Sequence, residues 1–162
     1  MDRFADNGMR MKRFTPLHGM IVILLFVGVV VYASLDQSSF IRVGPDREGM
    51  LRLDVSDLEP RTVRFYRFLN HGNQEVKFFV GRDQFGEIQV AFDASETDYK
   101  RKRGFTHQGD WMVNNKCETA SRLSEINTAE GGCKPVPLQH RLEGDALILA
   151  ESDILAGWRY FR

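Results

Sequence analysis

Cysteine is scarce in this chain, with two in 162 residues. That is too few for a disulfide-built scaffold, and too few for a cluster that takes about four thiolates from one chain. Excess charge of either sign is also missing: 22 basic residues stand against 22 acidic ones. Four of the basic and two of the acidic residues fall in the first 35, which leaves 18 and 20 for the remainder. A domain so close to neutral offers no electrostatic footprint for nucleic acid, so none is expected as a partner. No nucleophile–base motif, phosphate-binding loop or dinucleotide fingerprint occurs, and no internal repeat or low-complexity tract. His71 lies in a turn and His140 in a connection, neither at ligand spacing from another His, Asp or Glu. Asp93 and Glu96 are neighbours in sequence, which by itself defines no general acid–base pair. The expectation is a protein that is not an enzyme.

There is one long apolar run. Residues 1–19 form a polar leader ending in Arg10-Met11-Lys12-Arg13, and Met20 to Leu35 is almost wholly apolar. Counted from Phe14 the stretch reaches 22 residues, interrupted by Thr15, Pro16 and His18 near its entry. A helix of about 20 residues crosses a bilayer core. The sequence therefore predicts a single-pass transmembrane helix over 20–35, acting as a signal anchor. Basic residues before it and Asp36 after it place the N-terminus in the cytoplasm and residues 36–162 outside. The competing reading is a cleaved signal peptide, since Val31-Tyr32-Ala33 satisfies the small-residue rule for cleavage after Ala33. Both readings send the domain across the membrane. Its 127 residues suffice for a modest core without disulfide support.

Beyond Gln37 the apolar period becomes two. Leu51, Leu53 and Val55 alternate with Arg52 and Asp54. Arg61 to Leu69 is aromatic and β-branched, Asn70-His71-Gly72-Asn73 is a hairpin turn, and Glu75 to Val80 pairs back. After the turn Gly81–Gly86, Ile88, Val90 and Phe92 alternate with Glu87, Gln89 and Ala91. Three hairpin-linked strands make an antiparallel meander that delivers the chain to Ser95. Leu142 to Ala150 reads as another hairpin, and Ser152-Asp153 as the cap of one helical turn closed by Gly157. The predicted fold is a small, mainly β domain with ribbon-like knuckles, behind one N-terminal transmembrane helix.

The knuckles are Ser95-Glu96-Thr97-Asp98 and Asn114-Asn115-Lys116-Cys117, with 15 residues between them. That is the spacing of paired C-x-x-C ribbons, in which two turns offer four thiolates in a tetrahedron. The surroundings give the spacing meaning. Phe92-Asp93-Ala94, Gly104, Gly131-Gly132-Cys133 and Pro135-Val136-Pro137-Leu138 resemble the framework of the FtrD-like family of bacterial, iron–sulfur-containing membrane proteins. Leu53–Leu58, Lys77–Val80 and Ala156–Phe161 extend the resemblance over about residues 48–161. Three of the family's motif cysteines are replaced by Ser95, Asp98 and Asn114. Ser95, Asp98, Asn114 and Cys117 are thus read as a vestigial metal site. Its ligand chemistry argues against an iron–sulfur cluster and gives little charge to hold another metal, so no cofactor is expected. The plainer reading of Ser95, Asp98 and Asn114 is that they fix turns by hydrogen bonding.

In an oxidising compartment Cys117 and Cys133 are candidates for a disulfide closing a 17-residue loop. Two free thiols, or Cys133 linked to a partner or cofactor, are the alternatives. Lys100-Arg101-Lys102-Arg103 lies between the knuckles, either as a solvated loop or as a contact for lipid headgroups or an acidic partner. The functional expectation is a non-enzymatic accessory or structural subunit of a larger membrane complex in the bacterial inner membrane. Its partners would be the membrane and the other subunits. The alternative that the resemblance implies is a metal-binding or electron-transfer component related to iron uptake.

Overall fold

In the computed structural model, residues 40–162 are described. The predicted leader 1–19 and apolar span 20–35 lie outside the described residues, and no helix among the described residues is long and apolar enough to cross a membrane.

The meander is the centre of the domain. Strands β3 (Thr62–Leu69), β4 (Glu75–Arg82) and β5 (Ile88–Ser95) pair antiparallel in sequence order. The first turn is held by Asn70, whose Oδ1 accepts from the Gln74 backbone N–H at 2.9 Å and whose Nδ2 donates to Gln74 Oε1 at 2.7 Å. Two further strands widen this sheet to five. β1 (Ile41–Val43) lies parallel to β3, and β9 (Pro135–Pro137) pairs antiparallel with β5 across a register shift between Ala91 and Ser95. The two prolines sit on an edge strand, where a missing N–H costs least.

Both faces of the meander are covered, so β5 reads as an almost unbroken buried run instead of alternating. On one face Tyr66, Phe68, Val76, Phe78, Val80, Val90 and Phe92 pack against leucines of β2 (Met50–Asp54) and β11 (Ala146–Ala150). These two strands form a second sheet with β10 (Arg141–Glu143), and the predicted hairpin is β10–β11. On the opposite face Phe65, Phe79 and Ala91 meet Phe105, Met112, Leu123 and Ile126. Phe105 and Met112 belong to a third sheet of β6 (Phe105–Gln108), β7 (Trp111–Asn114) and β8 (Ala120–Arg122). A 3-10 segment, Leu123–Thr128, supplies Leu123 and Ile126.

The third sheet and β1 were not expected from the periodicity. The terminal helix also differs in detail. Helix α1 spans Glu151–Ala156 with Ala150 at its N-cap, so Ser152 and Asp153 lie inside it and neither caps it by a side-chain bond. The helix is anchored instead by the Glu151 N–H, which donates to Gly49 O at 2.9 Å. Gly157 does end it, and a Cβ there would run into the Phe92 ring.

Candidate functional site

Three strand ends converge on one corner of the domain. Ser95 ends β5 and Asn114 ends β7. Cys133 lies two residues before Pro135, which is paired with Ser95, so β9 brings Cys133 to the first knuckle. The second knuckle is brought there through Asp93: its Oδ1 accepts from the Phe105 N–H at 2.7 Å, fastening the start of β6 to β5. Gly104, at φ +61°, makes that approach possible, because a Cβ would collide with the Asp93 carboxylate. Burial pushes the Asp93 carboxyl up to about 7, against the opposing pull of the Phe105 N–H and the Lys77 charge.

The side chains of the predicted ligand set divide into two groups. Ser95 and Asn114 are buried, and their polar atoms fix the turns. Ser95 Oγ accepts from the Asp98 N–H at 3.2 Å and from Asn114 Nδ2 at 3.4 Å. Asn114 Oδ1 accepts from the N–H groups of Lys116 and Cys117 at 2.9 and 3.0 Å, and Nδ2 donates to Cys133 O at 2.9 Å. A cysteine at either position could replace none of this lattice with equal strength, since sulfur is a weak donor and acceptor. The Asp98 and Cys117 side chains meet Cys133 instead. Cys117 is disulfide-bonded to Cys133 with their Cα atoms 6.3 Å apart, the bond expected from compartment and count. Asp98 Oδ2 touches Cys117 Sγ and stands 3.7 Å from Cys133 Sγ. Asp98, Cys117 and Cys133 form a group whose potential ligand atoms all lie within 4.8 Å of one another.

Sequence reasoning therefore missed Cys133 as a member of the cluster that contains Asp98. Its motif, Gly131-Gly132-Cys133, marked the position without showing which knuckle it meets. Asp93 was missed as a perturbed group, although an acid between Phe92 and Ala94 in a buried strand is a visible signal. The basic run is exposed throughout. Lys102 and Arg103 line a cleft of about 130 Å³ beside the cluster, together with Lys77, Asp93, Asp98 and Lys116. Lys100 lines a neighbouring groove with Glu96, Tyr99, Arg159 and Arg162.

The donor set does not fit an iron–sulfur cluster. Such a cluster needs about four thiolate-type ligands. Here both cysteines of the chain are joined to each other, Asp98 offers one carboxylate, and Ser95 and Asn114 are committed to backbone hydrogen bonds.

No curated protein and no solved structure matches the chain. The family profile described as membrane iron–sulfur containing protein FtrD-like matches residues 58–161, well over half of the chain. That span holds the meander, both knuckles, the Gly-Gly-Cys turn and the closing helix, and on this match the chain belongs to the FtrD-like family.

Proposed function

We propose that this chain is a non-enzymatic, membrane-anchored accessory subunit of a larger bacterial membrane complex. In this reading the family's two-knuckle corner serves as a structural crosslink. The observation that carries it is the Cys117–Cys133 disulfide, which occupies both cysteines of the chain and ties the second knuckle to the turn before β9. The hydrogen bonds of Ser95 and Asn114 support it, since they stabilise the same corner without a metal. The apolar stretch 20–35 would anchor the chain, and the family description as membrane proteins agrees with that. The exposed run Lys100–Arg103 is the surface offered to an acidic partner or to headgroups.

Chain purified from native membranes in mild detergent tests this directly. It should contain no stoichiometric iron or acid-labile sulfide, show no visible absorption band, and react with no alkylating agent until reduced. It should also co-purify with a larger membrane partner. Iron and sulfide at cluster stoichiometry would overturn the reading. A second reading, a metal-binding or electron-transfer component, is favoured by one observation: the Asp98 carboxylate lies against both sulfurs.

A further inference from the structure

We propose that Asp98, Cys117 and Cys133 are a redox-gated site for a thiophilic divalent cation of the zinc class, closed as the disulfide and opened by a dithiol reductant. The inference goes beyond the crosslink reading and rests on it in one respect, that no iron–sulfur cluster holds these cysteines. Its ligand set takes one residue from each knuckle, Asp98 and Cys117, and adds Cys133. Cys133 enters from the turn before β9, while Ser95 and Asn114 stay out as turn-fixing groups.

The Asp98 carboxylate is the starting point. Its Oδ2 is aimed at Cys117 Sγ and Cys133 Sγ, yet neither sulfur of a disulfide carries a proton to donate. In this oxidised form the carboxylate gains no hydrogen bond from the atoms it faces. In the reduced form the same geometry places two thiolates and a carboxylate around one point, a donor set that zinc accepts. Bonds of about 2.3 Å from zinc to each sulfur put the two sulfurs about 3.8 Å apart in a tetrahedron. Rotation of the side chains supplies that separation with the Cα atoms 6.3 Å apart. The backbone does not have to move, because hydrogen bonds hold the turns without the disulfide: Asn114 Oδ1 fixes the second knuckle, Asn114 Nδ2 ties it to Cys133 O, and Thr97 Oγ1 donates to Gly132 O at 2.9 Å. All three ligand residues are half-buried beside exposed Gly131 and Gly132, so a cation has a way in and a fourth position is left for solvent. Three ligand charges exceed the charge of one divalent cation, and Lys102, Arg103 and Lys116 around the adjoining cleft offset the remainder.

The step balances. An external dithiol supplies two electrons and two protons, the Cys117–Cys133 bond breaks, and the dithiol itself closes to a disulfide. The two thiols then release their protons as the cation binds. Reoxidation by a disulfide acceptor expels the cation.

The test uses the full chain in detergent, stripped of metal with a chelator, and titrated with Zn²⁺ and Co²⁺ before and after phosphine reduction. The reduced chain should take up one cation, with thiolate-to-cobalt charge-transfer absorption, and the oxidised chain none. Asp98→Asn should weaken uptake by at least about 10- to 100-fold, and Asp98→His, which restores a ligand, should recover most of it. Circular dichroism should show the reduced fold intact. Lack of uptake on reduction, equal uptake by the oxidised chain, an unaltered affinity in Asp98→Asn, or unfolding on reduction each overturns the proposal. Loss of uptake in both Asp98 variants would mean that the residue shapes the turn without ligating, and also overturns it. The crosslink reading is judged separately, by the iron and sulfide content of the chain before any reduction.

Discussion

Asp93 is an acid in a strand whose neighbours, Phe92 and Ala94, are buried apolar residues. Its folded-state pKa of about 7 lies above the ordinary 3.8 because burial opposes the charged form. Between those two pH values the folded domain holds a proton that the unfolded chain has released. The contribution of this group to stability is therefore fully present below about pH 4 and is lost as pH rises to about 7. Asp93→Asn keeps the acceptor for the Phe105 N–H and carries no charge. The variant should be more stable than the parent at pH 8, by on the order of 2 kcal/mol once solvent screening is allowed for, and equal to it near pH 4. Urea midpoints measured at the two pH values check this. Gly104→Ala should act in the opposite direction. At φ +61°, and with its Cβ meeting the Asp93 carboxylate, it should cost about 2–4 kcal/mol by equilibrium denaturation. Of these two residues the sequence showed only their positions in the motif. The need for glycine at 104 arises from a carboxylate 11 residues earlier in the chain, and that is a contact between β5 and the residue before β6.

The elements follow the same division. Where hairpins join consecutive strands, as in β3–β4–β5 and β10–β11, the alternation and the turn residues were enough. Where an element is short and draws its apolar partners from elsewhere, they were not. β6 and β7 are four residues each, and the third sheet offers Phe105 and Met112 to a face made by Phe65, Phe79 and Ala91. Met112→Ala should therefore cost about 2–5 kcal/mol and raise amide exchange in β6–β8 before it does so in β3–β5. The disulfide acts on the same region from the other side. Reduction, or Cys117→Ser with Cys133→Ser, should lower stability by about 3 kcal/mol through the greater freedom of the unfolded 17-residue loop. Denaturant curves with and without a phosphine reductant measure it. A domain of this size commonly has about 5–15 kcal/mol to lose, so it should stay folded.

For the whole molecule, the expected arrangement is a β domain carried outside the membrane by residues 20–35. Deleting residues 1–35 should move the protein from the membrane fraction to the soluble one while leaving the disulfide intact, as read by fractionation and thiol alkylation. Retention of the truncated chain on membranes would instead point to a surface of the domain itself, with the exposed Lys100–Arg103 as the first to neutralise.

The sequence by itself determined the meander, the closing hairpin, the family and the limit that two cysteines set on thiolate chemistry. Each of these depends on local order: alternation along a strand, turn residues at fixed offsets, or a count. The tertiary structure alone decided that Asp98 faces a sulfur pair drawn from two different turns, and that Ser95 and Asn114 bond the backbone of those turns. The side-chain direction at a knuckle depends on how three sheets stack and on the register of β9 against β5. That register is set by burial across the core, which no spacing within a single segment encodes.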